Sequence, residues 1–462
     1  MVKIEERAID YVPESERHGK TRSLFYLWFG INLTMLTVST GAVLVINGLS
    51  FGWSVVAILI GNLLATLLMA AHSAQGPHLG IPQMIQSRAQ FGVYGAIIPL
   101  IMVFCMYVGY SSSGAIYNPE IIFTLWPDCP IPFNAWVFIF YALTAVVVIF
   151  GYDAIHASFK YITYVMGALF VIITICAFML PVDKSVLGFG EFKLGLFLMG
   201  IGIPASWQAC YAPYVADYSR YLPKDTKTSH TFWTTYLGAA LGASWMMILG
   251  CFLATALPSF YDNQMGTIAS MVPFHVVFML IMLVLMILAC TLNLYGLFMS
   301  ITTIVEPFGN FKFGKKARIL IISAVAILVS CIGCFAGANF WGFYNAFLTI
   351  ILYFLIPWTS INLVDFYFIR HGHYDVPAMF DVNGEYGKWN KSTLAIYFLT
   401  VIVEIPFIST SFYVGPIAKL LDGGEIAWIV GGIFAAVAYY LANRKHIIPK
   451  EATAPIPNTE TK

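Results

Sequence analysis

The side chains best suited to chemistry in this chain are aromatic rings and carboxamides set inside long apolar stretches. Four rings stand at such positions, where a planar ligand can pack against their faces. They are Tyr107, Tyr110, Trp207 and Tyr295. Gln208 and Asn293 add carboxamides, each of which offers a hydrogen-bond donor and an acceptor. Together these residue types predict a cavity that binds a planar heterocycle with amide-like edges.

Two apolar stretches are long enough to cross a bilayer yet are interrupted by small and polar residues. The first, at 23–47, is interrupted at 30–34 and 37–41. The second, at 192–216, is interrupted at 200–208. Interrupted helices at membrane depth leave backbone N–H and C=O groups unpaired unless a cavity, an ion or a ligand satisfies them. The matched interruptions therefore predict a central binding site between two discontinuous helices.

The composition places these stretches in a membrane protein. Of the 462 residues, 59% are hydrophobic and only 10% are charged, which is more apolar surface than a soluble core can cover. Hydropathy predicts about twelve spans of roughly 20 residues each. They lie near 23–47, 51–72, 95–117, 133–151, 159–181, 192–216, 231–257, 269–298, 317–336, 340–364, 393–414 and 425–443. The interrupted spans are the first and the sixth, so spans 1 to 5 and 6 to 10 are predicted to be inverted repeats.

The spans divide the chain into a core and its flanking segments. We predict a tail at 1–22, a ten-helix transport core at 23–366 with repeats at about 23–181 and 192–366, a loop at 367–392, two helices at 393–443 and a tail at 444–462. Of the 24 Lys and Arg residues, 21 fall in the tails and in the alternate loops on one side. Positive residues concentrate on the cytoplasmic side of membrane proteins. We therefore expect a multi-pass protein of the cytoplasmic membrane with both termini in the cytoplasm.

Four motifs follow one another along the chain in a fixed order. They are the loop at 76–88 (GPHLGIPQMIQSR) with Phe91, Gly92 and Gly95, the run at 216–221 (ADYSRY), the segment from Trp358 to Tyr374 and the run at 413–416 (YVGP). Together they resemble the nucleobase:cation symporter-1 family of cytosine, purine, uracil, allantoin, hydantoin and thiamine permeases, from Tyr26 to about Tyr440. The resemblance implies an all-α LeuT-type fold, in which a five-plus-five inverted repeat with discontinuous helices 1 and 6 is followed by two extra C-terminal helices.

The resemblance also implies where a substrate binds. In the family it lies between an aromatic residue of helix 3 and one of helix 6, with polar contacts from helices 1, 6 and 8. The matching positions outside helix 6 are Thr34 in helix 1, Tyr107 and Tyr110 in helix 3, and Asn293 in helix 8. In helix 6 the position falls on Trp207 or Gln208, because the spacing back from Asp217 is ambiguous by one residue.

The coupling ion depends on a second set of positions. Sodium-coupled members of the family place helix 1 carbonyls, here those of Gly30 and Leu33, opposite two hydroxyl residues of helix 8. The residues aligned with that pair are Leu288 and Ala289, which carry no side-chain oxygen. Because a hard cation needs a shell of oxygens, the resemblance favours a proton as the co-transported cation. If the alignment is shifted, Thr291 becomes the hydroxyl that would serve sodium.

Few carboxylates are candidates for carrying a proton. Asp217 and Glu306 stand at the cytoplasmic ends of spans, near the interrupted helices, and Glu404 stands deep in span 11. Glu404 lies outside the repeat core, so structural pairing or an oligomer contact is its alternative role. The absence of Lys and Arg from the middle of the spans favours a neutral substrate.

These observations predict an importer that takes up a neutral nucleobase, cytosine or a purine, by alternating access with proton symport. Transport of allantoin, a hydantoin or thiamine by the same pocket, and sodium-coupled symport, remain the alternatives. An enzyme is not expected, since the chain has no HExxH motif or comparable grouping, and charged rings or filter repeats typical of channels are missing. We expect no cofactor, no metal and no nucleic-acid partner. The expected partners are a small-molecule substrate and the lipid bilayer, and the oligomeric state is left open.

Overall fold

Long apolar helices make up most of the chain between Thr21 and Asn443. The computed structural model describes residues 10–150, 152–309, 314–410 and 412–448. We number the long helices by predicted span: 1a (Thr21–Ile31), 1b (Met35–Ile46), 2 (Phe51–Ser73), 3 (Ile97–Gly114), 4 (Phe133–Phe150), 5 (Tyr152–Phe178), 6a (Leu194–Ala209), 6b (Val215–Ser219), 7 (Thr228–Ala256), 8 (His275–Val305), 9 (Lys315–Ala338), 10 (Phe340–Val364), 11 (Lys391–Glu404) and 12 (Ala427–Asn443).

Shorter helices fill the connections. The α-helical ones are Gly76–Leu79, Gln83–Gln86, Arg88–Phe91, Tyr117–Leu125, Ser259–Asp262, Gln264–Met271 and Pro416–Leu420. The 3-10 turns are Glu14–Glu16, Lys184–Leu187, Ala212–Tyr214, Glu306–Phe308, Pro377–Phe380, Ile405–Phe407 and Arg444–His446, and Asp365–Ile369 is a π-helical turn. In the described ranges the β contact is confined to an isolated bridge between Ser409 and Val414.

The helices agree with the predicted spans. Among the described residues, seven helices are long and apolar enough to cross a membrane, and helices 1a and 1b form an eighth span bent by 58°. Phe133–Ile149 and Thr163–Phe178 are shorter apolar helices. Helices 11 and 12, of 14 and 17 residues, occupy the last two predicted spans. The all-α fold class is confirmed, while the tails predicted at 1–22 and 444–462 lie partly outside the described residues.

The interruption of the first span is at Asn32–Thr34. Thr34 is extended, with φ −138° and ψ 154°, and its hydroxyl accepts a hydrogen bond from the Thr37 backbone N–H, which starts helix 1b. The second predicted interruption, at 37–41, is wrong because these residues are helical. Their polar groups are satisfied inside the helix, since Ser39 and Thr40 donate to backbone carbonyls four residues earlier.

Helix 6 is discontinuous as predicted, but further along the chain. Helix 6a continues through 200–208 to Ala209 although Pro204 stands inside it. The chain leaves the α-helix at Cys210 and passes through the 3-10 turn Ala212–Tyr214 before helix 6b. Pro204 removes one backbone N–H, a loss that a helix packed among neighbours tolerates. The position predicted at 200–208 is therefore wrong, and the discontinuity lies at 210–214.

Helix 7 packs closely along both halves of the broken first span. A Cβ atom on Gly242 would lie 2.7 Å from the Phe29 carbonyl oxygen of helix 1a. A Cβ atom on Gly250 would overlap the Val38 carbonyl of helix 1b, and one on Gly41 would overlap the Met247 carbonyl of helix 7. Glycine at these positions lets the two backbones touch, as small residues do in membrane helix packing.

Both ends of the described chain lie on one side of the molecule. The Val12 N–H donates to the Gly80 carbonyl at 2.9 Å, and the Ile448 N–H donates to the Ile369 carbonyl at 2.9 Å. We call this the terminal side. Helix 11 begins there, where the Asn390 N–H donates to the Phe91 carbonyl at 2.8 Å, and it ends with Glu404 on the opposite side.

Candidate functional site

A central cavity of about 150 Å³ lies where the chain breaks between helices 1a and 1b. Helices 3, 5, 6a and 8 close it on the other sides, and every described side chain in its lining is uncharged. The predicted site residues in its lining are Gly30, Leu33, Thr34, Tyr107, Tyr110, Trp207 and Asn293. The sequence did not single out Tyr117, Thr163, Tyr211, Tyr214 and Tyr218, which also line it. For Tyr211, Tyr214 and Tyr218 the available signal was the recurrence of tyrosine at intervals of three and four residues.

Tyr110 and Trp207 meet across the cavity edge to face. Their ring centroids are 5.2 Å apart at an interplanar angle of 86°, and the Phe347 ring also packs against Tyr110, with centroids 4.9 Å apart. A flat ligand between two parallel rings needs them about 7 Å apart, since each stacked contact takes about 3.5 Å. The gap between these two rings is therefore closed in this structure, and a ligand stacked on both must displace one of them.

Asn32 holds the Trp207 ring in place, although it was not among the predicted site residues. Its side-chain oxygen accepts hydrogen bonds from Trp207 Nε1 at 2.7 Å and from the Tyr211 hydroxyl at 3.3 Å. Its amide nitrogen donates to the Trp28 carbonyl at 2.7 Å. Asn32 is fully buried, so it connects the break in helix 1 directly to the aromatic wall from helix 6a. A carboxamide at the centre of the interruption at 30–34 was the available signal.

Gln208 points away from the cavity. Its amide nitrogen donates to the Asn62 side-chain oxygen at 3.1 Å and to the Ala239 carbonyl at 3.3 Å, between helices 2 and 7. Successive residues of an α-helix point about 100° apart, so a continuous helix 6a cannot direct both Trp207 and Gln208 into one site. Of the two alternatives, the structure brings Trp207 into the lining.

The Asn293 carboxamide is an uncommitted hydrogen-bonding group of the lining, as is the Tyr110 hydroxyl. Asn293 forms no hydrogen bond with another described residue, and it is partly exposed to the cavity. Thr34, by contrast, shares a hydrogen bond of 2.9 Å with the Thr37 hydroxyl. Asn293 can therefore offer both a donor and an acceptor to the edge of a ligand.

A second cavity of about 150 Å³ lies next to the first, towards the terminal side. Tyr107 and Tyr214 line both cavities, and their rings stand 5.4 Å apart at 31°. Asp217 and Tyr295 line only the second cavity. Tyr295 is thus part of a path towards the terminal side rather than a wall of the central cavity, and the Tyr107 and Tyr214 rings stand between the two spaces.

The three candidate carboxylates lie at separate places, and none lines the central cavity. Asp217 accepts a hydrogen bond from the Gln83 N–H at 2.8 Å. Glu306 forms an ion pair of 2.6 Å with Arg88. Burial lowers the pKa of the Arg88 guanidinium, and the Glu306 carboxylate opposes that shift. Glu404 is fully buried at the end of helix 11.

Only some of the residues considered as sodium ligands reach the central cavity. Gly30, Leu33 and Ala289 line the cavity, while Leu288 and Thr291 do not. The Thr291 hydroxyl donates to the Leu288 carbonyl at 2.5 Å, inside its own helix. No cluster of three or more His, Cys, Asp or Glu residues suited to a metal ion occurs in the part of the chain that the structure describes.

A helical bundle with two discontinuous helices around an uncharged central cavity defines a membrane transporter of the LeuT-type fold. Two solved structures of Mhp1, a nucleobase-cation-symport-1 family transporter, share this fold. The closed conformation with bromovinylhydantoin bound has a TM-score of 0.74 at 16% identity and covers 96% of this chain and 95% of Mhp1. The inward-facing conformation has a TM-score of 0.73.

Sequence comparisons give the family. The family model described as permease for cytosine/purines, uracil, thiamine, allantoin matches residues 11–431. A putative purine-cytosine permease of Bacillus subtilis, YxlA, is 46% identical over 442 residues, which cover 95% of this chain and 96% of that protein. The purine-cytosine permease fcyB of Emericella nidulans is 24% identical over 452 residues, covering 94% and 87%. The chain belongs to the nucleobase:cation symporter-1 family, and it is a multi-pass membrane permease, not an enzyme.

Proposed function

We propose that this permease imports a neutral nucleobase, cytosine or a purine, across the cytoplasmic membrane in symport with protons. The observation that carries the proposal is the uncharged cavity in which the uncommitted Asn293 carboxamide faces a space bounded by Trp207 and Tyr110. Aromatic faces suit a planar base, and a carboxamide matches the paired donor and acceptor along a base edge. Relatives described as purine-cytosine permeases support this substrate class.

The arrangement of the cavities supports alternating access. The central cavity and the second cavity share the Tyr107 and Tyr214 rings, so movement of these rings would open the central cavity towards the terminal side. The excess of Lys and Arg on that side supports a cytoplasmic location for it. We propose the repeats at 23–181 and 192–366 as the two units whose relative movement exposes the site in turn.

The coupling proposal rests on the oxygens available near the break in helix 1. Ala289 faces the cavity beside Gly30 and Leu33, and it contributes no side-chain oxygen. Thr291, the alternative ligand, directs its hydroxyl to a backbone carbonyl of its own helix. A sodium ion held only by backbone carbonyls would lack much of its shell, so a proton gradient is the proposed driving force.

The other substrates in the family's range fit this cavity less well than a nucleobase does. Thiamine carries a fixed positive charge, and the cavity presents no carboxylate to balance it. Allantoin and hydantoins are neutral and share the amide edges of a nucleobase. They present less aromatic surface to Trp207 and Tyr110, so we rank them as the second substrate class.

Uptake into proteoliposomes tests the proposal. Radiolabelled cytosine is offered with unlabelled adenine, hypoxanthine, uracil, allantoin or thiamine as competitors, under either a proton or a sodium gradient. We expect accumulation driven by the proton gradient and competition by purines but not by thiamine. Strict dependence on sodium at constant pH would refute the coupling, and competition by allantoin alone would refute the substrate.

A further inference from the structure

Two buried carboxyl groups lie on the side opposite the terminal side, one at the end of helix 11 and one just before helix 12. They are not part of the transport site described above. Glu404 is 0% exposed and Glu425 is 3% exposed. Neither lines the central or the second cavity. Among the described ion pairs, none involves either residue. Two buried carboxylates without a cation are costly, so a neutral, protonated form is favoured for one of them.

The surroundings of the two carboxyls differ. Glu425 accepts hydrogen bonds from the Tyr353 hydroxyl at 2.6 Å and from the Ser409 and Ala427 backbone N–H groups, both at 2.8 Å. Three donors of this kind stabilise a carboxylate. Neither oxygen of Glu404 has a hydrogen-bond partner among the described residues. This difference makes Glu404 the carboxyl that favours the protonated form and Glu425 the one that better tolerates a negative charge.

The titratable and charged groups that surround Glu404 give it no positive partner. Helix 12 and the residues before it present Glu425, helix 10 presents Tyr353, and helix 11 itself presents Tyr397, whose hydroxyl donates to the Phe354 carbonyl at 3.1 Å. The nearby loop carries Lys419 and Asp422, which are exposed. A hard cation needs several oxygen ligands, and neither Glu404 oxygen has a hydrogen-bond partner among the described residues. The ligand that this site fits is a proton.

A glycine in helix 12 allows the Glu404 carboxyl to pack directly against that helix. The Glu404 carboxyl occupies the space that a side chain on Gly431 of helix 12 would fill. One turn earlier, Trp428 is 6% exposed and its Nε1 has no hydrogen-bond partner among the described residues. An ionised Glu404 would face the Glu425 carboxylate in this closed space, so the pair would have to move apart or admit water.

The same cluster contacts helix 6a. The point at which a Cβ on Gly202 would stand is 3.5 Å from Trp428 Nε1 and 3.9 Å from the Glu425 Cγ. Gly202 precedes Trp207 by five residues, about 7.5 Å along the helix axis. A displacement of Glu425 and Trp428 therefore acts on the helix that carries the aromatic wall of the central cavity.

We propose that Glu404 and Glu425 form a proton-binding site outside the central cavity, and that its protonation stabilises the substrate-binding position of helix 6a. The inference rests on the proposed nucleobase binding. The proton passes from water to a Glu404 carboxylate oxygen, where an O–H bond forms, and it returns to water when that bond breaks. Because coupling between two ligands is reciprocal, substrate binding should also favour protonation of Glu404.

Equilibrium binding of radiolabelled cytosine to the full-length protein in nanodiscs, measured as a function of pH, tests the site. We expect the affinity of the parent protein to fall by roughly 5- to 150-fold as pH rises and Glu404 ionises. Glu404→Gln keeps a neutral side chain, so its affinity should stay at the low-pH level throughout. In Glu425→Gln the negative neighbour is gone, and the pH midpoint should shift downwards. Asp422→Asn, on the exposed loop, is the matched control and should keep the parent profile.

Infrared spectroscopy supplies a readout that needs no substrate. A buried protonated carboxyl gives a C=O stretching band that is separate from carboxylate bands, and Glu404→Gln should lose it while Asp422→Asn retains it. An unchanged pH profile or an unchanged band in Glu404→Gln overturns the proton site. If the parent protein binds no nucleobase yet shows the band, the proposed function fails and the coupling to helix 6a fails with it, while the proton assignment stands. If Glu404→Gln does not fold, an unshifted midpoint in Glu425→Gln overturns the proposal.

Discussion

At the scale of single residues, the aromatic wall is the first feature to test. Removing the ring in Trp207→Ala or Tyr110→Ala should weaken cytosine binding by roughly 5- to 150-fold, because stacking on one aromatic face contributes about 1–3 kcal/mol. Affinity is measured by competition uptake, with the amount of protein in the membrane determined in parallel. Tyr164→Ala is the control, since that ring is 58% exposed on helix 5. Parent-like affinity in both cavity variants would contradict the site.

Asn32 should matter although it does not line the cavity. Asn32→Ala leaves Trp207 Nε1 without its partner, and an unpaired buried donor costs about 1–3 kcal/mol. We expect weaker binding and a lower thermal unfolding midpoint. In Trp207→Phe the donor is absent, so the double variant should lose less than the sum of the two single variants. Additive losses in this double-mutant cycle would show that Asn32 acts independently of Trp207.

Asn293 should set the choice among bases. Asn293→Ala removes the uncommitted carboxamide, whereas Asn293→Gln and Asn293→Ser keep a hydrogen-bonding group near it. A site built to hydrogen-bond a ligand edge rejects analogues that leave its polar group unpaired. We expect the ranking of cytosine, adenine, hypoxanthine and uracil in competition uptake to flatten most in Asn293→Ala. An unchanged ranking would make Asn293 a helix-packing residue.

The residues found from sequence are those whose type is unusual for an apolar span. Tyr107, Tyr110 and Asn293 stand out in that way, and the structure places them around one cavity. The choice between Trp207 and Gln208 needed the phase of helix 6a, which depends on where that helix ends. Either an indole or a carboxamide could line a binding site, so residue type alone did not show which of the two faces the cavity.

At the scale of helices, the predicted interruptions of helices 1 and 6 show when local sequence is sufficient to locate a helix break. The break in helix 1 falls at Asn32–Thr34, where a carboxamide and a β-branched residue favour caps over helix interior. The residues at 200–208 contain two glycines and a proline, yet packing against helices 2 and 10 keeps them helical. Tertiary contacts outweighed propensity there, and a single sequence does not show them.

Helix 7 should tolerate no side chain at Gly250. A Cβ in Gly250→Ala would overlap the Val38 carbonyl, so helices 1b and 7 must separate. Overpacking of this kind costs about 1–3 kcal/mol. We expect a lower unfolding midpoint in detergent by differential scanning fluorimetry. Gly337→Ala is the matched control, because its Cβ would meet Ile116 at an ordinary 3.4 Å. Equal midpoints for the two variants would contradict the close packing.

At the scale of the whole molecule, the Arg88 and Glu306 ion pair joins the segment after helix 2 to the end of helix 8. Arg88 is 3% exposed and also donates to the Met379 carbonyl at 3.2 Å, so three parts of the terminal side meet at its guanidinium. Glu306→Gln removes the negative charge opposite this buried guanidinium and should destabilise the protein by about 1–3 kcal/mol. Double replacement by Leu should recover part of the loss. Thermal unfolding of the three proteins tests this, and a parent-like midpoint for Glu306→Gln would refute it.

The overall architecture was predictable because hydropathy alone sets the length and number of membrane-crossing helices. Each predicted span contains a helix, and the inverted repeat followed from the positions of the first and sixth spans. The proton site proposed between helices 11 and 12 was not predictable in this way. Glu404 and Gly431 are 27 positions apart in the sequence, and only the folded chain shows that the Glu404 carboxyl packs against Gly431.

The edge-to-face contact of Tyr110 and Trp207 has a consequence for the rate of substrate capture. If a base stacks on both rings as proposed, it can enter only after one of them turns aside, so ring reorientation should limit association below the diffusion rate. The observed rate of binding should then level off at high cytosine concentration instead of rising linearly. Stopped-flow recording of tryptophan fluorescence would show this plateau, and Tyr110→Ala should restore linearity while shortening the residence time of the base.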